Sequence, residues 1–177
     1  KQFFIKLFLL QVVAGYFPLY GQKVIMVKDI NKSIKEKSSD PQAMIAFQDK
    51  LYFMAYTAES GNEFWKSDGT SKGTVLIKDI NPGKAGSLFS SFYQMNKVLY
   101  FGANDSIHGY EFWKSDGTSD GTILVKVLYE GIKNSFPQGY FVLRNKLYFL
   151  TSGISDSIEL WKSDGSSTGT QKISPLI

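Results

Sequence analysis

The sequence predicts an all-β protein assembled from one repeated unit, and three observations carry that reading. Glu63-Phe64-Trp65-Lys66-Ser67-Asp68-Gly69-Thr70 returns as Glu111-Phe112-Trp113-Lys114-Ser115-Asp116-Gly117-Thr118. It returns again as Glu159-Leu160-Trp161-Lys162-Ser163-Asp164-Gly165-Ser166, with the tryptophans 48 residues apart both times. Aromatic residues make up 15% of the 177, chiefly Phe and Tyr, which suits half-buried strands. Short apolar runs are separated by turn residues at even spacing, the pattern of antiparallel meanders.

Bulk composition narrows the function classes. At 43% hydrophobic the chain is too apolar for a disordered one. The formal charge of +4 includes Lys1 and Lys6, in a segment expected to be removed; the remaining charge of about +2 is too mild to argue for nucleic acid. There are no cysteines, so neither disulfides nor thiolate metal sites hold the fold together.

Residues 1–22 read as a secretory signal peptide. Lys1 and Lys6 form a basic start, Leu7 to Phe17 an apolar run, and Pro18 with Tyr20-Gly21 a plausible cleavage region. The run is too short to cross roughly 30 Å of hydrocarbon, so no transmembrane helix is expected. Residues 23–30, Lys-Val-Ile-Met-Val-Lys-Asp-Ile, resemble the stretches after the later motifs, Val75 to Ile80 and Ile123 to Lys126. They are expected to form a leading strand, the last strand of a unit whose earlier strands are absent. The missing initiator Met points the same way, to a fragment of a longer protein.

Within 23–177 three units follow, at about 39–80, 87–128 and 135–177. Each opens at an equivalent serine (Ser39, Ser87, Ser135). The first strand follows at Met44-Ile45, Phe92-Tyr93 and Tyr140-Phe141, and the second at Leu51-Tyr52-Phe53, Leu99-Tyr100-Phe101 and Leu147-Tyr148-Phe149. The tryptophan motif is the third strand. Thr74 to Ile80, Thr122 to Leu128 and Thr170 onward are the fourth. Both faces of these strands carry apolar groups, as small sheets stacked face to face would need. Units of this length with four strands fit a β-propeller-like array of about three four-stranded antiparallel blades plus one leading strand. Propellers generally close with four to eight blades, so three read as a partial propeller. Missing blades of a longer chain, or self-association, would complete it.

What recurs in every unit is read as scaffold. Asp68-Gly69, Asp116-Gly117 and Asp164-Gly165 sit where the third strand turns into the fourth; Gly accepts positive φ and Asp accepts backbone hydrogen bonds. Gly73-Thr74, Gly121-Thr122 and Gly169-Thr170 close the same loop. Trp65, Trp113 and Trp161 are expected between neighbouring sheets, each N–H bonded to a backbone group, rather than exposed as sugar platforms. Lys66, Lys114 and Lys162 are expected as a solvated edge row, and Glu63, Glu111 and Glu159 as structural partners.

Function is expected where the units differ. The loops between second and third strands supply Glu59, then Asp105 with the only histidine, His108, then Asp156. The connections from fourth to first strand carry Lys32, Lys35, Lys37, Lys84 and Lys133. In a propeller both sets emerge on one side and form a mildly basic rim, suited to an acidic polysaccharide or protein partner. One Asp/His pair is a weak metal signal, so no metal site or cofactor is predicted; calcium has no residue pattern behind it. No nucleophile triad or phosphate loop stands out.

Leu-Tyr-Phe, a glycine-containing loop, the Trp-x-x-Asp-Gly-Thr-x-x-Gly-Thr core and the Asp79-Ile80-Asn81-Pro82-Gly83 ending together resemble the ELWxxDGT-repeat proteins. These are also labelled hyalin-like and occur among secreted and surface bacterial proteins. The resemblance covers roughly residues 23 to 177. Phe64 and Phe112 replace the usual Leu, Ser166 replaces Thr, and Val127-Leu128-Tyr129 departs from the Asp-Ile-x-Pro-Gly ending. The turn is also similar to the Asp-box of sialidase-like propellers. The resemblance implies export and a propeller-like fold, with no reaction to carry across. The expectation is therefore an exported, non-catalytic surface or extracellular module for binding or adhesion. Its alternatives are a secreted enzyme acting on polysaccharide, with carboxylates from Glu59, Asp105 and Asp156, and a purely structural spacer.

Overall fold

A computed structural model of the chain describes residues 25–31, 38–87, 91–152 and 158–176, with side chains as far as residue 173. The expected signal peptide, Lys23 and Val24, the rim lysines Lys32, Lys35 and Lys37, and Asp156 lie outside the described residues.

Among the described residues twelve strands form three antiparallel sheets, each with neighbours in the order of the chain. The first holds β1 (Gln42–Phe47), β2 (Lys50–Thr57), β3 (Gly61–Ser67) and β4 (Val75–Lys78). The second holds β5 (Tyr93–Met95), β6 (Val98–Asn104), β7 (Tyr110–Ser115) and β8 (Ile123–Lys126). The third holds β9 (Gln138–Leu143), β10 (Lys146–Ser152), β11 (Ile158–Ser163) and β12 (Gln171–Leu176). No helix occurs among the described residues. The four-strand meander expected from the repeat is what the chain forms.

Two local devices recur in all three sheets. The first hairpins turn on Gln48-Asp49, Asn96-Lys97 and Arg144-Asn145, every one of them at a φ between 47° and 60°. Two consecutive left-handed residues make the turn whose twist matches the flanking strands. Where the fourth strand joins the third, the register shifts between Phe64 and Trp65, Phe112 and Trp113, and Leu160 and Trp161. A bulge here re-aims the short fourth strand. Leu76 thus lies opposite Trp65, while Ile77 joins the apolar cluster facing the next sheet.

Alternation along the strands gives each sheet two apolar faces. Phe47, Tyr52, Met54, Phe64 and Ile77 of the first sheet pack on Phe92, Leu99, Phe101 and Trp113 of the second. Met95, Tyr100, Phe112 and Val125 of the second repeat the arrangement against Tyr140, Leu147, Phe149 and Trp161 of the third. Ring spacings repeat with them: Phe64 lies 5.0 Å from Phe92 and 5.6 Å from Phe101, and Phe112 6.2 Å from Tyr140 and 4.6 Å from Phe149. Each fully buried Phe contributes about 2–3 kcal/mol through removal from water.

The expected leading strand differs from the structure: residues 25–31 have no strand pairing among the described residues. They nevertheless occupy the position of a preceding fourth strand. Lys28 Nζ donates to Thr74 O at 2.6 Å, as Lys78 Nζ donates to Thr122 O at 2.9 Å and Lys126 Nζ to Thr170 O at 2.7 Å. Ile30 packs on Phe53, Ala55 and Trp65, as Ile80 packs in the next junction. Without strands beside it, the segment has packing but no ladder.

Candidate functional site

The repeated polar residues are occupied in holding turns and junctions. Asp68 Oδ1 accepts from Thr70 N at 2.9 Å and Thr70 Oγ1 at 2.7 Å, and Asp116 and Asp164 do the same with Thr118 and Ser166. These hydrogen bonds, led by the Thr or Ser hydroxyl, hold all three carboxyls below their ordinary range, Asp164 down to about 2. Gly73 is required because a Cβ there would run into the Asp68 carboxylate. Ser67 Oγ and Thr74 Oγ1 meet at 2.7 Å beneath the turn, with equivalent pairs at Ser115–Thr122 and Ser163–Thr170.

Of the three lysines expected along a solvated edge, Lys66 and Lys114 are placed otherwise. Lys66 Nζ donates to Gly117 O at 3.0 Å and Lys114 Nζ to Gly165 O at 2.8 Å, each reaching the turn of the following sheet. The register sets Tyr52 beside Lys66 and Tyr100 beside Lys114, and the tyrosine hydroxyls lie against Gly117 and Gly165. Strand neighbours on one face must point at whatever that face covers, here the next turn.

The tryptophans are 6–9% exposed, buried between sheets or under Ile30. Their N–H groups do not bond backbone. Trp161 Nε1 donates to Thr151 Oγ1 at 3.1 Å and Glu159 Oε2 at 3.3 Å, whereas Trp65 Nε1 and Trp113 Nε1 have no partner in the structure. The difference traces to one position: Thr151 stands where the other units have Ala55 and Ala103.

The glutamates tie each third strand to the chain leaving the fourth. Glu63 accepts from Ile80 N at 2.9 Å and Asn81 N at 3.2 Å, and Glu111 from Leu128 N at 2.8 Å and Ser135 Oγ at 2.9 Å. Burial pushes both carboxyls up to about 7, against those hydrogen bonds. For Glu159 burial acts the same way, but Lys172 at 2.6 Å and hydrogen bonds from Tyr129 and Trp161 together outweigh it and hold the carboxyl below its ordinary range.

What remains free lies along one edge, where the loops between second and third strands meet the connections from fourth to first. Ser87 N donates to Asn62 O and Ser87 O accepts from Asn104 N; Ser135 repeats both bonds with Tyr110 and Ser152. Gly61 and Gly109, at φ 70° and 81°, let the loops lie flat on the connections; a Cβ would meet Lys84 O and Gly86 N in one case, Ile132 O and Lys133 O in the other. Glu59, Lys84 and Lys133 are exposed on this edge. Asp105 is turned inward: its Oδ1 accepts from Ile107 N and His108 N, and its Oδ2 lies 2.7 Å from His108 Nδ1. Burial alone would raise this carboxyl; the hydrogen bonds from His108 and Ile107 outweigh it and hold it low. The pair is thus a loop staple first. No group of three or more His, Asp or Glu side chains suited to a metal ion occurs among the described residues.

Three residues of this edge were not singled out from the sequence. Ile107 is 70% exposed, Ile132 78% and Phe136 45%, and the Phe136 ring lies tilted against Tyr110 at 5.1 Å between centroids. Their signal was available: apolar side chains inside otherwise polar, unrepeated loops. They lie with Lys133 on two segments that meet where Gly109 rests against the Ile132 and Lys133 carbonyls, an exposed patch that is mainly apolar with one cation. A shallow cleft of about 270 Å³ lies at the first unit, lined by Ser38, Asp40, Tyr56 and Asn62.

Fold and edge together define the class: an all-β array of repeated four-stranded sheets whose shared residues build junctions and whose loops vary. The chain matches no family model and no curated protein. No described helix is long and apolar enough to cross a membrane.

Proposed function

We propose that this chain is an exported, non-catalytic module of a propeller-like repeat array, and that its variable loop edge binds an acidic ligand at or outside the cell surface. The observation that carries this is the division of labour among polar groups. Motif Asp, Lys, Glu, Ser and Thr side chains are engaged in turns and junctions, while Lys84, Lys133 and the patch of Ile107, Ile132 and Phe136 face solvent. Exposed apolar groups beside Lys133, with Lys84 on the same edge at the neighbouring junction, suit a ligand with both a hydrophobic face and negative charge. Acidic polysaccharide is the class to test first. Export rests on the basic and apolar start of the sequence and on the ELWxxDGT resemblance; the sheets are read as blades completed by further units or by self-association.

The test is retention on immobilised acidic polysaccharide at rising salt. Retention that falls with salt, and is lost in a Lys84→Ser/Lys133→Ser/Ile132→Ser variant with unchanged melting temperature, supports the reading. Retention equal in both proteins, or none for the unmodified chain, overturns it.

A further inference from the structure

Three positions at the junction of the second and third units depart from the repeat together, and they form one stack. Gly102 stands where the other units have Met54 and Leu150, and Tyr110 where they have Asn62 and Ile158. A Cβ on Gly102 would run into the Tyr110 ring, so the missing side chain is what lets that ring lie over the neighbouring strand. Tyr110 is 7% exposed, and its backbone is fixed on both sides: its N–H donates to Asn134 Oδ1 at 2.8 Å, and its carbonyl accepts from Ser135 N at 2.9 Å. The Phe136 ring lies against it, 31° from parallel, as the outer member of the pair. Since the ring beneath is buried, the 45% exposure of Phe136 falls on its opposite face and its edges.

Phe136 is displayed there against its backbone preference. Its φ is 45°, in the left-handed region, where a bulky side chain is strained and Asn or Asp is at ease. The equivalent residue of the first unit is Asp40, also before a proline and at φ 38°. The connection thus requires a left-handed residue, and a phenylalanine fills the place. Burial does not account for the choice, because nearly half the residue is in water. Strain of this kind persists where a side chain must meet a ligand. Lys133 is exposed three residues earlier on the same connection, where the Ile132 and Lys133 carbonyls meet Gly109, the residue before Tyr110. The other charge on this connection, Glu130, lies six residues from Phe136.

We propose that Phe136 is a stacking platform for one pyranose ring of an anionic glycan, and that Lys133 pairs with the carboxylate of a uronic acid. This rests on reading the loop edge as a glycan-binding surface. A pyranose presents a face of C–H groups that an aromatic ring can cover while the sugar hydroxyls stay in water. One cation beside an apolar surface suits one carboxylate per sugar ring, whereas a polysulfated chain would require a row of cations. Ile107 and Ile132, exposed on the same two segments, extend the apolar surface.

The test is calorimetric titration of the chain with a uronic-acid oligosaccharide and with its carboxyl-reduced form. Phe136→Asn fits the left-handed backbone and removes the ring. It should weaken binding of both sugars by about tenfold or more, at an unchanged or raised melting temperature. Phe136→Trp should retain the affinity. Lys133→Ser should weaken only the charged sugar, to the level of the reduced one. The platform is overturned if the unmodified chain does not bind the oligouronate, if affinity survives Phe136→Asn, or if Phe136→Trp loses it as well. A lower melting temperature for Phe136→Asn assigns the ring to stability and overturns it too. Retention on immobilised acidic polysaccharide that persists in Phe136→Asn leaves the binding edge standing and removes only the platform. No retention of the unmodified chain removes both.

Discussion

Replacing Glu63 by glutamine tests how the fold tolerates a carboxylate in each of its seams. Glu63 is 0% exposed and accepts two backbone N–H groups, yet burial raises it from 4.5 to about 7. The sign follows from linkage: the folded state holds the proton more tightly than the unfolded chain. This group's contribution is therefore intact below pH 4.5 and lost as pH rises through about 7. The shift corresponds to about 3 kcal/mol between the two limits. For a chain of this size that moves the midpoint by about 6–12 °C. Glutamine resembles the protonated acid and does not titrate. The difference in unfolding free energy between Glu63→Gln and the unmodified chain, followed by tryptophan fluorescence in urea at pH 5 and pH 8, should then shift by about 2.5 kcal/mol in favour of the variant at pH 8, the rest being lost already by pH 5. Glu111 titrates in both proteins and cancels. An equal difference at both pH values would refute the raised carboxyl and the seam built on it.

Other perturbations read other parts. Gly117→Ala and Gly69→Ala place the same strained backbone under alanine, but only the first drives a Cβ into Tyr52. Gly117→Ala should cost about 1–3 kcal/mol more in urea titrations, from overpacking at the clasp. Thr151→Ala removes the nearer of the two acceptors of Trp161 Nε1 and a partner of Tyr129 Oη, and should cost about 1–2 kcal/mol, measured by thermal unfolding. Asp116→Ala frees Thr118 N and Oγ1 and should cost about 1–2 kcal/mol at pH 7, the loss shrinking as pH falls below the usual carboxylate range, because the native carboxyl is held low. Lys66→Met keeps the aliphatic stem and loses one hydrogen bond to Gly117 O, about 1 kcal/mol in the same assay.

The strands and their order were legible because repetition aligns equivalent residues: Leu51, Leu99 and Leu147 announce the second strand, and the tryptophans the third. Local chemistry was legible too, since Asp68 bonds a residue two positions on. What crossed between units was not. Lys66 and Gly117 lie 51 residues apart, and only the stacking direction joins them, so the lysine row read as a solvated edge. The bulge at Phe64–Trp65 has no glycine to mark it, and the Gln48-Asp49 turn is left-handed at two non-glycine residues. The missing acceptor for Trp65 and Trp113 was visible as Ala55 and Ala103 against Thr151, but meaningful only once β2 and β3 were in register. On the loop edge, the charged candidates Lys84 and Lys133 stand exposed as sequence suggests. Asp105 is spent on its own loop, and the apolar half of the patch was overlooked because exposed isoleucine carries no motif.

The seam between the first and second sheets and that between the second and third use the same atoms: a lysine amine on a glycine carbonyl, a tyrosine over a turn, a second lysine on a threonine carbonyl. Among the described residues no apolar cluster spans the first and third. A block of 48 residues could be duplicated or excised in frame and leave a seam of unchanged chemistry behind. Length in such a chain is free to drift, because lengthening it asks for no new core, only another copy of an old one.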